Sequence, residues 1–278
     1  MRTIQESQLP LSFDYGETTS AKSALSHSVS PLVETEKNIL VYPALLFRKR
    51  PKIKKLEEFV KNARHAGAEG IHLDIIDGSF ENDDQETPTQ TVFDSIEDIK
   101  ILVNICHKYG MQLDVHLMVA NPECILPSLF EINVDYVSFH CEYICKRIDD
   151  ISFENDLSFE DKIKCLKEKH SNTKIGIAIN PSTKFLFIIQ QRVIAVLDFF
   201  LIMSVVPGKQ GGEFVNTSGK IRLIKPLYPN KQIFVDGAMN KENASIMRDA
   251  GADVIISGSF YNKSKNPEKA IKELKGID

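Results

Sequence analysis

The sequence lacks the features that mark several classes of protein. It has no run of about 20 apolar residues, the length that crosses a bilayer, so no membrane partner is expected. Its opening stretch, MRTIQESQLPLSF, has no apolar core of the kind that secretory signals carry. The net charge of -4 over 278 residues provides no broad basic surface, so nucleic acid is not expected as a partner either.

Cysteine is scarce, and its spacing supports no disulfide framework. The five residues are Cys106, Cys124, Cys141, Cys145 and Cys165. An odd number without framework spacing fits reduced thiols and a cytoplasmic location. The Cys141/Cys145 pair has metal-ligand spacing, but no second pair of Cys or His residues follows at zinc-finger distance, so plain thiols are expected there.

Residues 1–37 differ in composition from the rest of the chain. They are rich in Ser, Thr and Glu, and their apolar residues show no sustained period. We predict an N-terminal extension, either disordered or loosely packed, ahead of a single domain over residues 38–278. The about 240 residues of that domain suit one large barrel.

From residue 38 onward, short apolar runs alternate with longer amphipathic segments. Eight runs have the length of strands and are rich in Val, Ile and Phe. They cover residues 39–46, 70–76, 112–119, 134–141, 174–180, 196–205, 232–238 and 252–259. Continuous apolar strands that alternate with helices imply a parallel sheet covered on both faces. Eight such units predict an α/β fold, the (β/α)8 barrel.

Segments between the runs have the pattern of helices, as at 52–67, 95–110 and 240–251. Each of these ends in a glycine, where a helix C-cap is expected: Gly67, Gly110 and Gly251. An open, doubly wound sheet is the alternative fold, but it normally carries a glycine-rich phosphate-binding turn after its first strand. FRKRPK follows the first run instead. The long, mostly acidic connection 142–160 is interpreted as a solvated surface insertion.

Residues that can bind a metal interrupt three of the apolar runs. His72 and Asp74 stand two apart, as do Asp114 and His116, and Asp236 lies near the end of the seventh run. Side chains two apart share a face of a strand, and barrel strands meet at one mouth. A hydrogen-bonded core is the plain alternative, but burial of unpaired carboxylates costs several kcal/mol. The spacing therefore predicts a divalent metal site, suited to Zn, Fe, Mn or Co.

Glycine-rich turns follow the last three runs. They read VVPGKQGGEF at 205–214, VDGA at 235–238 and SGSF at 257–260. Barrels often bind phosphate at this place, because glycine lets backbone amides approach an oxyanion closely. Any one of them can be ordinary turn chemistry, but three together predict a phosphate site.

The sequence resembles the ribulose-phosphate 3-epimerase family from about residue 39 to residue 275. The segments that carry the resemblance are YPALL, GIHLDIIDGSF, DVHLMV with Asn121-Pro122, SFHCE, IAINPST, IMSVVPG, IFVDGAM and AGADVIISGSF. They follow the family's order at roughly its spacing.

The resemblance implies roles for individual residues. The matches to the family's metal ligands are His72, Asp74, His116 and Asp236. Asp74 and Asp236 also match its two acid/base carboxylates, and Met118 and Met203 match methionines at the substrate site. Residues that match positions near the substrate phosphate are Gly211, Gly237, Gly258 and Ser259.

The activity that the resemblance implies is epimerisation at C3 of a ketose phosphate, D-ribulose 5-phosphate to D-xylulose 5-phosphate. One carboxylate removes the C3 proton and the other returns a proton to the opposite face. One divalent metal ion stabilises the enediolate formed between the two steps. The partner implied is a small sugar phosphate, and whether the chain forms a homo-oligomer stays open.

The chain departs from the family's pattern in its loops. Ala44, Ile76 and Ser79 stand where the family usually has Ser, Met and His. Residues 81–83 and 208–212 also differ, and Ala238 replaces a glycine on the phosphate side. Because the metal and acid/base positions are intact, the departures leave the reaction in place and put the substrate in question.

Three alternatives follow from these departures. One is epimerisation of another ketose phosphate, such as allulose 6-phosphate. A second is a non-catalytic relative that binds a sugar phosphate, which the intact Asp74 and Asp236 disfavour. A third is a barrel lyase or decarboxylase, which is disfavoured because no strand ends in the Asp-x-Lys pattern.

Overall fold

The structure is a computed structural model. It describes residues 38–47, 50–77, 95–142, 158–184, 192–206 and 212–277. The predicted extension 1–37 lies outside these residues, as do Cys145 and most of the connection 142–160. No helix in the described ranges combines the length and the apolar character that crossing a membrane requires.

Eight parallel strands form one sheet, as the apolar runs predict. The strands are β1 Leu40–Pro43, β2 Gly70–Ile76, β3 Gln112–Met118, β4 Tyr136–His140, β5 Lys174–Ile179, β6 Phe199–Met203, β7 Gln232–Asp236 and β8 Val254–Ser257. Each strand pairs with the next in the chain from β2 to β8, and β8 pairs with β1. A bridge between Ala44 and His72 and a 3.0 Å hydrogen bond from Leu45 N to His72 O join β1 to β2. The (β/α)8 barrel is confirmed.

Helices cover the outside of the barrel and connect its strands. In the described part of the chain they are α1 Ile53–His65, α2 Ile96–Lys108, α3 Pro122–Glu131, α4 Phe159–Lys169, α5 Ser218–Leu227, α6 Lys241–Ala250, α7 Ser259–Asn262 and α8 Pro267–Lys275. The buried residues of α1 are Leu56, Val60 and Ala63, one stripe at helical spacing. The three predicted helices are present, and Gly251 adopts the left-handed conformation (φ 112°) that ends α6.

Two of the predicted segments begin or end differently in the structure. The sixth apolar run is shortened, because Arg192–Val196 forms a 3₁₀ turn before β6. The connection 142–160 is not all solvated loop. Glu142, at its start, is partly buried beside His140, and α4 already begins at Phe159, capped by Ser158. A Ser N-cap followed by acidic residues is a helix start signal that outweighs the acidic character of the segment.

Aromatic side chains fill the barrel at the ends where the strands begin. Tyr136 and Phe199 are the first residues of β4 and β6, and their rings pack edge to face with centroids 5.4 Å apart. A Cβ atom at Gly176 would lie 2.6 Å from the ring of Phe199, and one at Gly70 would lie 2.6 Å from the ring of Tyr42. The rings occupy the space that side chains at these two glycines would need. Packed rings thus fill this end of the barrel, and the Tyr136 hydroxyl donates to Gln232 Oε1 at 3.1 Å. The opposite end, where the strands finish, is the mouth.

Candidate metal centre and active site

Four potential metal ligands converge at the mouth of the barrel. His72 and Asp74 come from β2, His116 from β3 and Asp236 from the end of β7. Each offers one nitrogen or oxygen atom, and these four atoms all lie within 4.8 Å of one another. Asp74 and His116 are direct neighbours in the pairing of β2 with β3. The two histidines are buried and the two carboxylates are partly exposed, so the cluster faces the opening of the barrel.

The donor set fits a divalent cation. Two imidazole nitrogens and two carboxylate oxygens are ligands that Zn²⁺, Fe²⁺, Mn²⁺ and Co²⁺ accept. His72 Nε2 lies 3.1 Å from Asp74 Oδ1, and His116 Nδ1 lies 3.0 Å from the same oxygen. The two ring nitrogens therefore converge on one atom, Asp74 Oδ1. The residues that the structure brings together are the four that the sequence analysis singled out for the metal.

A buried carboxylate holds His72 from behind. Its Nδ1 atom lies 2.7 Å from Asp114 Oδ2, and both side chains have no exposed surface. Carboxylates commonly take the second ring N–H of a metal-binding histidine in this way, which fixes the ring and its tautomer. The sequence analysis noted Asp114 in its Asp-x-His pair but gave it no role. Its position two residues before His116, on the same face of β3, was the available signal.

His116 is held by a different arrangement. Its Nε2 atom lies 2.9 Å from Nε2 of His140, and His140 Nδ1 lies 3.3 Å from Oε2 of Glu142. His140 is the last residue of β4 and is buried. The sequence analysis quoted these residues within SFHCE without assigning them a function. The signal was a third pair of polar residues two apart, at the end of a strand adjacent to β3.

The charges of the cluster shift the pKa of several groups. Burial acts to lower the pKa of His72, but Asp74 and Asp114 outweigh it and hold that pKa well above its usual value. Burial acts to raise the pKa of Asp74, but His72 and His116 outweigh it and hold that pKa well below its usual range. For Asp236 burial dominates, and with the nearby Asp74 charge it raises the pKa to about 6. The pKa values of the two carboxylates are therefore shifted in opposite directions, that of Asp74 downwards and that of Asp236 upwards.

His140 and Glu142, which lie beyond His116, also have shifted pKa values. Burial lowers the pKa of His140 to about 4, so this ring is neutral at neutral pH. Burial acts to raise the pKa of Glu142. The hydrogen bond and the charge of a protonated His140, together with a hydrogen bond from Thr183, outweigh burial and lower this pKa to about 2. An ionised carboxylate therefore faces a neutral imidazole at the end of β4.

The two methionines singled out in the sequence lie at the same end of the barrel. Met118 and Met203 are buried and are the last residues of β3 and β6. Met203 is paired in register with Asp236 on the neighbouring strand. The structure therefore places two flexible apolar side chains beside the cluster of ligands.

The glycines assigned to the phosphate side follow β7 and β8. Gly237 has φ 112°, and a Cβ atom there would lie 2.8 Å from the backbone nitrogen of Val205. Gly258 and Ser259 begin the short helix α7, whose first amides have no acceptor within the helix. Gly211 lies outside the described residues, as do Ser79, residues 81–83 and most of residues 208–212.

Ala238 replaces a glycine and keeps the backbone conformation that suits glycine. Its φ is 51°, in the left-handed region that residues with a Cβ atom rarely adopt. Its carbonyl oxygen accepts a 2.7 Å hydrogen bond from Asn243 Nδ2, which fixes the turn between β7 and α6. The turn therefore has, at Ala238, a backbone conformation that glycine adopts more readily than alanine.

Comparison with known proteins supports one family. Residues 49–261 match the ribulose-phosphate 3 epimerase family. The chain is 30% identical over 223 residues to ribulose-phosphate 3-epimerase of Bacillus subtilis, covering 78% of this chain and 90% of that protein. It is 31% identical to that of Synechocystis, covering 84% and 92%. Among solved structures, KGPDC from Streptococcus mutans shares the fold with a TM-score of 0.58 at 10% identity, over 86% of this chain and 96% of that one.

The match covers the greater part of the chain and includes β2, β3 and β7, the strands that carry the four clustered ligands. The likeness to KGPDC concerns the fold alone, because its sequence identity is low. The chain belongs to the ribulose-phosphate 3-epimerase family of isomerases.

Proposed function

We propose that the protein catalyses the metal-dependent epimerisation of D-ribulose 5-phosphate to D-xylulose 5-phosphate, with Asp74 and Asp236 as the acid/base pair. The observation that carries the proposal is the convergence of two histidines and two carboxylates within 4.8 Å at the barrel mouth. Family membership supports the reaction, and the names of the relatives support the substrate.

The proposal assigns the two carboxylates to opposite faces of the substrate. Asp74 is on β2 and Asp236 is on β7, and the strands β8 and β1 separate them around the barrel. Inversion at C3 requires removal of a proton from one face and delivery of a proton to the other.

His72, Asp74, His116 and Asp236 would hold one divalent ion, Zn, Fe, Mn or Co. When bound, such an ion supplies the positive charge that stabilises an enediolate. Met118 and Met203 shield the reacting carbons from water, since both are buried apolar side chains at the end of the barrel where the ligands lie. Gly237, Gly258, Ser259 and Gly211 form the phosphate side, where glycines and the first amides of α7 suit an oxyanion.

The remaining parts of the proposal concern the chain as a whole. Residues 38–278 form the catalytic domain, and residues 1–37 are an extension that the chemistry does not need. The cysteine pattern favours a reducing, cytoplasmic location. Removal of residues 1–37 should leave kcat within a few-fold, because none of the ligands or proposed substrate contacts lies there.

The proposal is tested by following C3 epimerisation on a panel of ketose phosphates, with and without a chelator. We expect turnover of ribulose 5-phosphate that chelation abolishes and a divalent ion restores, with about one ion bound per chain. Activity confined to allulose 6-phosphate would keep the reaction and replace the substrate. Absence of turnover on every substrate in a metal-loaded protein would refute the proposal.

A further inference from the structure

Three side chains in contact lead away from the candidate metal site at the end of β4: His116, His140 and Glu142. His116 contacts His140 at 2.9 Å, and His140 contacts Glu142 at 3.3 Å. We propose that Glu142 and His140 are positioning residues that fix the tautomer of His116, so that its Nδ1 lone pair faces the cation. This inference rests on the proposed function, because it assigns a role towards the metal ion.

The argument follows the protons along the chain. An ionised carboxylate has only acceptor atoms, so the N–H of His140 that faces Glu142 must be the one on Nδ1. The two Nε2 atoms of His116 and His140 lie 2.9 Å apart, so one carries a hydrogen and the other a lone pair. With the His140 N–H on Nδ1, its Nε2 atom is the one that accepts, and Nε2 of His116 carries the hydrogen. Nδ1 of His116, the atom 3.0 Å from Asp74, is left as the ligand.

Neighbouring residues hold the Glu142 carboxylate in the orientation that this order of N–H groups and lone pairs requires. Its Oε1 atom accepts a 3.3 Å hydrogen bond from the Asn180 backbone N–H and a second one from the Thr183 hydroxyl. Lys220, on α5, donates to the carbonyl oxygens of the same two residues, the latter at 2.6 Å. The turn after β5 is therefore tied to both Glu142 and α5, and it directs Oε2 towards His140.

The two metal-binding histidines use opposite ring nitrogens, and a carboxylate sets each of them. Asp114 acts on His72 directly and leaves Nε2 for the cation. Glu142 acts on His116 through an intervening ring and leaves Nδ1. If the atom of residue 142 that faces His140 became a hydrogen-bond donor, both histidines would change tautomer. A proton would then lie on Nδ1 of His116 and block the ligand atom.

Glu142→Gln is the sharpest test, because it keeps the shape and reverses the polarity. Its carbonyl oxygen would face the donors Asn180 N–H and Thr183 hydroxyl, and its NH₂ group would face His140. We expect His140 to switch from the Nδ1–H to the Nε2–H tautomer and the Zn²⁺ affinity to fall about 10- to 100-fold. The readouts are long-range proton–nitrogen NMR spectra of ring-labelled histidines and competition titration with a chromophoric chelator.

Asp198→Asn is the matched control. Asp198 lies just before β6, away from the mouth, and like Glu142 it accepts from a backbone amide (Ile175 N, 2.9 Å) and from a side chain, that of Lys167 at 2.6 Å. We expect the control to keep the Zn²⁺ affinity within two-fold. If Glu142→Gln does not fold, Thr183→Val loosens the same carboxylate with a smaller loss of affinity.

The outcomes separate this inference from the function it rests on. A wild-type protein that binds no Zn²⁺ would refute the proposed function. An Nε2–H tautomer of His140 in the wild-type protein, with or without metal, would refute this inference. So would an unchanged Zn²⁺ affinity in a folded Glu142→Gln variant.

Discussion

Asp114 Oδ2 lies 2.7 Å from Nδ1 of His72, and neither side chain has exposed surface. A carboxylate buried in this way is stabilised by its hydrogen-bonded partner. In turn, the carboxylate orients that partner. The pair therefore links the buried charge of Asp114 on β3 to the orientation of His72, a proposed metal ligand on β2.

Asp114→Asn should weaken metal binding by about 10- to 100-fold, because an amide can donate to Nδ1 and favour the wrong tautomer of His72. Chelator competition measures the affinity. Asp135→Asn is the control, since it alters another Asp–His pair, with His107 at 2.9 Å, at the end of the barrel where the strands begin. Equal affinities in the Asp114 variant and the wild-type protein would show that the buried pair serves the core alone.

Asp236→Asn should lose epimerisation by about 10²- to 10⁴-fold, because an amide cannot carry the proton. The change is nearly isosteric, so the cooperative unfolding transition should be retained. Turnover is measured with ribulose 5-phosphate, alongside Asp249→Asn on the exposed face of α6. Near wild-type turnover in the Asp236 variant would remove this residue from the acid/base pair.

Ala238→Gly should stabilise the protein. The left-handed conformation of Ala238 (φ 51°) costs a residue with a Cβ atom about 1–2 kcal/mol. The additional entropy that glycine gives the unfolded chain costs only about 0.4–1 kcal/mol. We expect a net gain of up to about 1.6 kcal/mol, seen as a rise in Tm of about 2–4 °C per kcal/mol.

The matched control for this change is Ala244→Gly, in the middle of α6, which should lower Tm because that alanine is helical and buried. A lower Tm for Ala238→Gly as well would mean that contacts of the methyl group outweigh the backbone strain.

Glu142 should make stability depend on pH in the acid range. Its pKa is lowered from about 4.5 to about 2 in the folded protein. A lowered carboxyl pKa contributes stability that is present above about pH 4.5 and is lost as the pH falls towards 2. The difference in unfolding free energy between wild type and Glu142→Gln should therefore be largest at neutral pH and shrink below pH 4.5. Denaturant unfolding at several pH values measures it, and a difference that does not change with pH would contradict the assignment.

The fold could be predicted from the sequence because each strand is a local pattern. A strand such as β6, Phe199–Met203, is apolar throughout, and a strand buried on both faces needs no more than that to be recognised. The helix ends at Gly67 and Gly251 are also local, since one residue with a positive φ closes each helix. The four clustered ligands could be predicted because strand direction brings polar residues to one mouth, and the resemblance to the family separated these four from Asp114.

The support of the ligands could not be predicted in the same way. The contact between His116 and His140 depends on the register of β3 against β4, in which His116 is opposite Ser138 and the ring reaches past it. Glu142 belongs by composition to an acidic connection, and only the turn at Asn180 and Thr183 reveals why it is held in place. The backbone of Ala238 was equally hidden, because alanine gives no sign of a left-handed conformation.

The rings of Tyr42 and Phe199, which fill the space beside Gly70 and Gly176, close one end of the barrel. The candidate site therefore opens only towards the other end of the barrel, the mouth. In the proposed reaction, substrate would enter and product would leave by the same route, so the two would compete for one opening.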